Sequence, residues 1–166
     1  GTYFLCDTHV SPDPTAMEVA EMVRLAAAEV RRFGIEPKVA LLSHSNFGSR
    51  DTTASIKMRE ATAILHRENP DMEVEGEMHA DSAVDGSIRE RVFPDSNLSG
   101  NANLLVMPSL DAANIAYNLL KVTGEGLSVG PMLVGMDKPV HIMTQAVTTR
   151  GIVNMTSYAV VDAQDR

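Results

Sequence analysis

Two stretches of this sequence gather hydroxyls, side-chain amides and glycines densely enough to hold a ligand. Asp95-Ser96-Asn97-Leu98-Ser99-Gly100-Asn101-Ala102-Asn103 runs into the apolar Leu104-Leu105-Val106-Met107, and Ser43-His44-Ser45-Asn46-Phe47-Gly48-Ser49 follows Val39-Ala40-Leu41-Leu42. Serine and asparagine offer donors without net charge, and glycine admits a close backbone approach. A loop of this kind that feeds a helix adds the unpaired first-turn N–H groups, which favour an anion. A plain polar turn has the same composition, so the chemistry depends on which elements carry the loops. Other reactive types are sparse. Cys6 stands alone in Tyr3-Phe4-Leu5-Cys6 and reads as a small core residue. The histidines share no HExxH-like spacing, so no metal is expected. Glu73, Glu75 and Glu77 alternate with apolar residues and glycine, and read as the solvated side of a strand rather than as ligands.

The elements that must position these loops follow from periodicity. Short strands are expected at 2–7, 38–42, 72–78, 104–107, 129–135 and 140–143. A helix capped by Asp13, with Pro14 at its first position, repeats Ala16, Val19, Ala20, Val23, Ala26, Ala27, Val30 and Phe33 at helical spacing and stops at Gly34. A second helix, 51–69, places Ala54, Met58, Ala61 and Leu65 on one face with Ile64 beside them. A short one, 81–92, is interrupted by Gly86. A fourth, 111–121, would bury Ala112, Ala113, Ala116, Leu119 and Leu120, and a last one, 149–163, would turn Ile152, Val153, Thr156, Ala159 and Val160 inward. Strands and helices in alternation predict an α/β fold, layered α/β/α with a mostly parallel sheet. Ligands in such sheets sit beyond the carboxyl ends of the strands, where loops follow Leu42, Met107 and Met143.

Composition narrows the classes. With 166 residues and 44% hydrophobic content a single globular unit over 1–166 is expected, and no apolar run approaches the roughly 20 residues of a membrane helix. A net charge of -8 without a basic cluster argues against nucleic acid. One cysteine excludes an internal disulfide and suggests a reducing, cytoplasmic compartment. The missing initiator methionine suggests a piece of something longer. The ten methionines read as core.

Taken together the motifs resemble the phosphate acetyl/butyryltransferase family across the whole chain. The serine-rich 43–49 segment, Val74-Glu75-Gly76-Glu77 with Asp81, Asp95-Ser96 through Asn103, Asn114-Ile115-Ala116-Tyr117, Gly130-Pro131 and Lys138-Pro139-Val140 occur in the family's order. The resemblance implies the family's isocitrate/isopropylmalate dehydrogenase-like layered architecture, here only in part, because the family is longer and sets its site between two lobes. It also implies an acetyl-CoA or phosphate site formed by Ser43, Ser45, Ser49, Ser96, Gly100, Asn101, Asn103, Lys138, Thr144, Gln145 and Arg150. The likeness lapses where the family does chemistry. Its Asp-Leu-Ser-Arg-Gly run is Ile142-Met143-Thr144-Gln145-Ala146 here, its following acidic position is Gly151, and a lysine that often precedes its Asp-Ser pair is Val92. Transfer of an acyl group from a thioester to phosphate needs a cation for the developing oxyanion and a group for the thiol's proton. Loss of one positioned donor commonly costs about 10²–10³ in rate. Thr144, Gln145 and Gly151 are therefore degenerate positions, and no catalytic residue is expected.

A retained binding site without catalytic groups is similar to the phosphotransacetylase-like module that follows the catalytic region of bacterial NADP-dependent malic enzymes, where acetyl-CoA is an inhibitory signal. Thr148 to Met155 resembles the start of that module's last helix. The resemblance implies a catalytic domain in the same parent chain, with NADP and a divalent metal held only there, no cofactor in this fragment, and a homo-oligomer. Two other readings stand beside it: an active phosphate acyltransferase in which Thr144 with His141 or His44 takes over, and an oligomerisation scaffold. The apolar 115–120 helix face could serve assembly, although such a face normally belongs to a core.

Overall fold

The computed structural model describes residues 1–124, 126–145 and 147–164. The chain divides into two compact units, Gly1–Tyr117 and Asn118–Arg166. In order, the elements are β1 (Phe4–Cys6), α1 (Ala16–Arg32), β2 (Val39–Leu42), α2 (Thr53–Glu68), β3 (Val74–Met78), α3 (Ala80–Val84), α4 (Gly86–Val92), β4 (Leu104–Val106), α5 (Leu110–Thr123) and α6 (Thr149–Gln164). No described helix is long and apolar enough to cross a membrane.

The strands form one fully parallel sheet in the order β1-β4-β2-β3, so β1 and β3 are its edges. Alternate side chains divide the core between the two faces, as a strand's period of two requires. Val39, Leu41, Val74, Leu104 and Val106 meet Val19, Val23, Ala27 and Val30 of α1 and Met58, Ala61 and Leu65 of α2. Ala40, Leu42, Met78, Leu105 and Met107 pack with Ala83, Leu98, Ala102 and Ala113 on the other face. Each fully buried Val or Leu in these layers contributes about 1.5–3 kcal/mol of transfer free energy. The layered α/β fold and parallel sheet expected from the alternation are present.

Several local expectations are corrected. Thr15, not Asp13, caps α1: its hydroxyl accepts from the Glu18 N–H while the Glu18 carboxylate accepts from the Thr15 N–H, a reciprocal box that leaves Pro14 before the cap. Asp13 pairs instead with Lys57 of α2, at 2.5 Å. The stretches 129–135 and 140–143 form no strand among the described residues. Pro131 and Pro139 lack the N–H a ladder needs, and the backbone turns to positive φ at Gly130 and Gly135 (121° and 82°). Leu119 and Leu120 of α5 are exposed (62% and 45%), and α6 buries Met155 and Asp162 instead of the inward set expected. Helical periodicity shows which face is apolar; it does not show what covers that face.

Candidate functional site

Edge strand β3 is buried almost throughout, contrary to the solvated side expected for its glutamates. Glu75 is 4% exposed and Glu77 1%. A buried carboxylate must be hydrogen-bonded, and here each glutamate of this stretch fastens a loop. Just before β3, Glu73 accepts from the Ser99 N–H (2.9 Å) and from its hydroxyl (2.8 and 2.9 Å). Glu75 accepts from the Asn97 N–H at 2.9 Å. Glu77 accepts from the Ser45 hydroxyl (2.7 Å), the Gly48 N–H (2.9 Å) and both Nε and Nη2 of Arg59 (3.1 Å each).

Glu77 can reach α2 because the β2/β3 register shifts between Leu41 and Leu42, so that Leu41 faces Gly76 while Leu42 faces Met78. The extra residue is Glu77 itself, re-aimed by the bulge. Burial would push its carboxyl up, but the hydrogen bonds from Arg59, Ser45 and Gly48 outweigh this and hold it below the ordinary carboxylate range. Glu77 is thus a fixed anion and not a proton acceptor. For Cys6, burial, then Asp7, pushes the thiol up to about 12, which disfavours the thiolate a nucleophile needs. The core reading of Cys6 fits this environment.

The serine loop lies beyond the carboxyl ends of β2 and β3. Ser45 is fully buried and committed: besides donating to Glu77 its hydroxyl accepts from Arg50 N (3.0 Å) and lies 3.2 Å from Arg50 O. Ser43 is half-buried and accepts from Ser45 N at 3.1 Å. Ser49 is exposed, accepts from Asn46 N at 2.9 Å and lies 3.5 Å from the Ser45 hydroxyl. Phe47 holds positive φ (48°), an unusual state for a bulky residue, and stacks on Phe93 at 4.4 Å between ring centroids.

The second loop enters from the opposite end of the sheet. Asn103 accepts from Lys38 N and donates to Glu36 O, both at 2.8 Å, so it sits where β2 begins. At a strand rise of roughly 3.3 Å per residue, Lys38 and Ser43 stand about 16 Å apart. Asn103 is therefore a brace remote from the serine loop. Asn101 is exposed and accepts from Gly86 N at 2.8 Å. Gly100 and Leu98 turn their carbonyls onto Arg89, which is 1% exposed and also donates to Ser82 O. Ser96 is half-buried and accepts from Leu98 N at 3.3 Å.

Lys138, Thr144, Gln145 and Arg150 belong to the second unit and are exposed; Arg150 lies in the first turn of α6. Gly151 N donates to the Thr148 hydroxyl at 3.1 Å. Ala146, in the run compared above, lies outside the described residues.

Sequence reasoning missed the bracing set of Glu73, Glu75, Glu77, Arg59 and Arg89. The available signal was Gly76 inside a strand, which marks a bulge or a close approach. It also missed a cavity of about 300 Å³ lined by Thr8, His9, Leu110, Asp111, Asn114 and Ile115. This cavity lies beyond the carboxyl ends of β1 and β4, the position where parallel sheets seat ligands. Asp7 fixes its rim by accepting from the N–H groups of His9, Val10 and Ser11, and Asn114 Nδ2 donates to Thr8 O at 3.1 Å. Among the described residues no three His, Cys, Asp or Glu side chains gather as metal ligands.

The family model "Phosphate acetyl/butaryl transferase" matches residues 1–160. The chain is 53% identical over 165 residues to an NADP-dependent malic enzyme of Escherichia coli (strain K12), covering 99% of this chain and 22% of that protein. It is 52% identical over 163 residues to an NAD-dependent malic enzyme of Rhizobium meliloti (strain 1021), covering 98% and 21%. A solved phosphotransacetylase from Streptococcus pyogenes superposes with a TM-score of 0.92 at 34% identity, over 96% of this chain and 49% of that one. The chain thus spans about a fifth of the malic enzymes it matches and about half of the phosphotransacetylase.

Proposed function

Since the chain belongs to the phosphate acetyl/butaryl transferase family, we propose that it is the C-terminal regulatory domain of an NADP-dependent malic enzyme, with acetyl-CoA as its allosteric effector and no transferase activity of its own. The observation that carries this reading is the contrast in identity: 53% to a malic enzyme against 34% to a phosphotransacetylase, each over almost the whole chain. The degenerate positions support it. Thr144 keeps a hydroxyl, but Gln145 is neutral and Gly151 has no side chain, so neither supplies the cation for the developing oxyanion or the group for the thiol's proton. Binding asks less, since uncharged donors and helix N-termini suffice for a thioester and its phosphates. In this reading the parent chain oxidatively decarboxylates malate to pyruvate in a catalytic region that holds NADP and a divalent metal. The cytoplasm and a homo-oligomeric parent are part of the same proposal.

Calorimetric titration of the chain with acetyl-CoA, beside free CoA and acetyl phosphate, tests it. Saturable micromolar binding that Ser96→Ala or Thr144→Ala abolishes is the expected result. Absence of heat with both this chain and the longer malic enzyme carrying it sinks the effector reading. The TM-score of 0.92 against a phosphotransacetylase favours a second reading, an active acyltransferase. Phosphate oxygen would then attack the thioester carbonyl, the C–S bond would break, and acetyl phosphate and free CoA thiol would appear. A thiol assay with acetyl-CoA and phosphate separates the two.

A further inference from the structure

The serine loop and the start of the second loop meet at a pair of aromatic rings. Residues 46–49 form a tight turn closed by the Ser49 N–H on Asn46 O at 3.2 Å, and both central residues, Phe47 and Gly48, hold positive φ (48° and 82°). That sign pattern belongs to a type I′ turn, whose first central position favours asparagine, aspartate or glycine. A phenylalanine there opposes the local preference, and such strain persists only where the surroundings fix it. Here they do: Phe47 N donates to Glu77 O at 2.8 Å, Gly48 N to the Glu77 carboxylate at 2.9 Å, and Asn46 accepts from His79 N at 3.0 Å. Phe93 is held as firmly, since it ends α4 with its N–H on the carbonyl of the buried Arg89 at 2.7 Å. The two half-buried rings stack face to face, 15° from parallel. Phe47 also packs on the second core layer, whereas Phe93 belongs to neither layer and meets no other ring among the described residues. Arg50, just beyond the turn, has its backbone tied to Ser45, Ser55 and Arg59. Its exposed guanidinium makes no hydrogen bond or ion pair among the described residues.

We propose that Phe47, Phe93 and Arg50 form a subsite for an adenosine phosphate, in which the adenine stacks on the face of Phe93 that Phe47 leaves open and Arg50 meets a phosphate. The inference rests on the acetyl-CoA reading and goes beyond it by naming the residues that take the adenosine half of that effector. A base has a π-face that an aromatic surface accepts without any hydrogen bond. A platform fixed before the ligand arrives also loses little freedom on binding. Ser96 N donates to Phe93 O at 3.3 Å, which ties one candidate ligand hydroxyl to the same support. In a chain of net charge -8, a guanidinium with no protein partner supplies the local cation that an anionic ligand requires.

Calorimetry on the unaltered chain makes the first comparison, between acetyl-CoA and S-acetylphosphopantetheine, the same thioester without the adenosine phosphate. Acetyl-CoA should bind at least about fivefold tighter, the lower end of what one base stacked on an aromatic side chain supplies. Phe93→Ala should remove most of that difference and leave affinity for the truncated thioester unchanged, while Arg50→Gln should reduce it most at low salt. Equal losses for both ligands in Phe93→Ala would mean that the ring only supports the fold, and would overturn the inference. The chain has no tryptophan, so Phe93→Trp places a single indole on the platform. Its fluorescence should be quenched saturably by acetyl-CoA and by ADP, and not by the truncated thioester. Equal affinity of the unaltered chain for both thioesters, or an indole left unquenched while calorimetry records acetyl-CoA binding, overturns the inference and leaves the effector reading standing. No acetyl-CoA binding by the chain or by the longer malic enzyme carrying it overturns both. Should Phe93→Ala unfold, the comparison on the unaltered chain and the Phe93→Trp quench decide.

Discussion

Glu77 shows how a residue type acquires its role from its partners. As an alternating strand acid it reads as solvated; at 1% exposure, with a hydroxyl, an amide and a guanidinium donating to it, it anchors the serine loop. Glu77→Gln keeps the shape and removes the charge, and should cost about 2 kcal/mol, the order for charge-assisted hydrogen bonds in a buried site. The pH dependence follows from the lowered native pKa. The folded carboxyl titrates below its ordinary value of 4.5, so the contribution is complete above that pH and is lost as pH falls through the native value. Urea unfolding at stepped pH should therefore show the gap between wild type and Glu77→Gln narrowing below about 4.5. A constant gap would mean that the carboxylate is not held by these bonds. Ser45 is spent on the same anchor, which leaves Ser43, Ser49, Ser96 and Thr144 as the hydroxyls to test for ligand contact.

At the scale of elements, β3 is an edge strand that does not behave as an exposed edge. Its bulge turns Glu77 to α2, while Glu75, and Glu73 just before the strand, hold the 97–99 loop. The close approach that permits this is at Gly76, where an added Cβ would lie 2.8 Å from both Leu41 Cβ and Leu41 O, and 3.2 Å from the Thr62 hydroxyl. Backbone on one side and a buried threonine on the other leave nothing free to give. Gly76→Ala should destabilise by about 1–3 kcal/mol, as overpacking does, seen as a fall of several degrees in thermal melting. Gly100→Ala meets open space and incurs only the cost of its positive φ (77°), about 1–2 kcal/mol. If Gly76→Ala melts with the wild type, the packing of β3 on β2 is looser than these distances state.

For the whole molecule, stability is concentrated in the first unit. All the fully packed sheet residues lie in Gly1–Tyr117, whereas Met155 is the one buried apolar residue of the second unit among those described. Stretch 126–145 has neither helix nor strand. Native-state hydrogen exchange should accordingly find the amides of β2 and β4 exchanging only with global unfolding, and those of 126–145 many orders faster. Uniform protection across both units would contradict this division. The candidate ligand residues are distributed over both units. Ser43 and Ser49 lie beyond the carboxyl ends of the strands, Asn103 braces the amino end, and Lys138, Thr144, Gln145 and Arg150 belong to the other unit.

The family and the layered α/β fold were legible in the sequence, because apolar runs, helical spacing and loop motifs are local records of which residues must be buried together. The helices α1 and α2 followed from spacing alone, with Ala61 and Leu65 buried where the periodicity placed them. The strands expected at 129–135 and 140–143 were not secure for a local reason, since their prolines and glycines oppose pairing. The roles of the β3 acids, of Arg59 and Arg89, and of Asn103 were decided only by the tertiary structure. Each depends on a partner 9 to 65 residues away whose approach is set by strand order, register and a single bulge, and no local pattern encodes those. The same holds for the apolar faces of α5 and α6: sequence determined that they are apolar, and packing decided that they remain exposed.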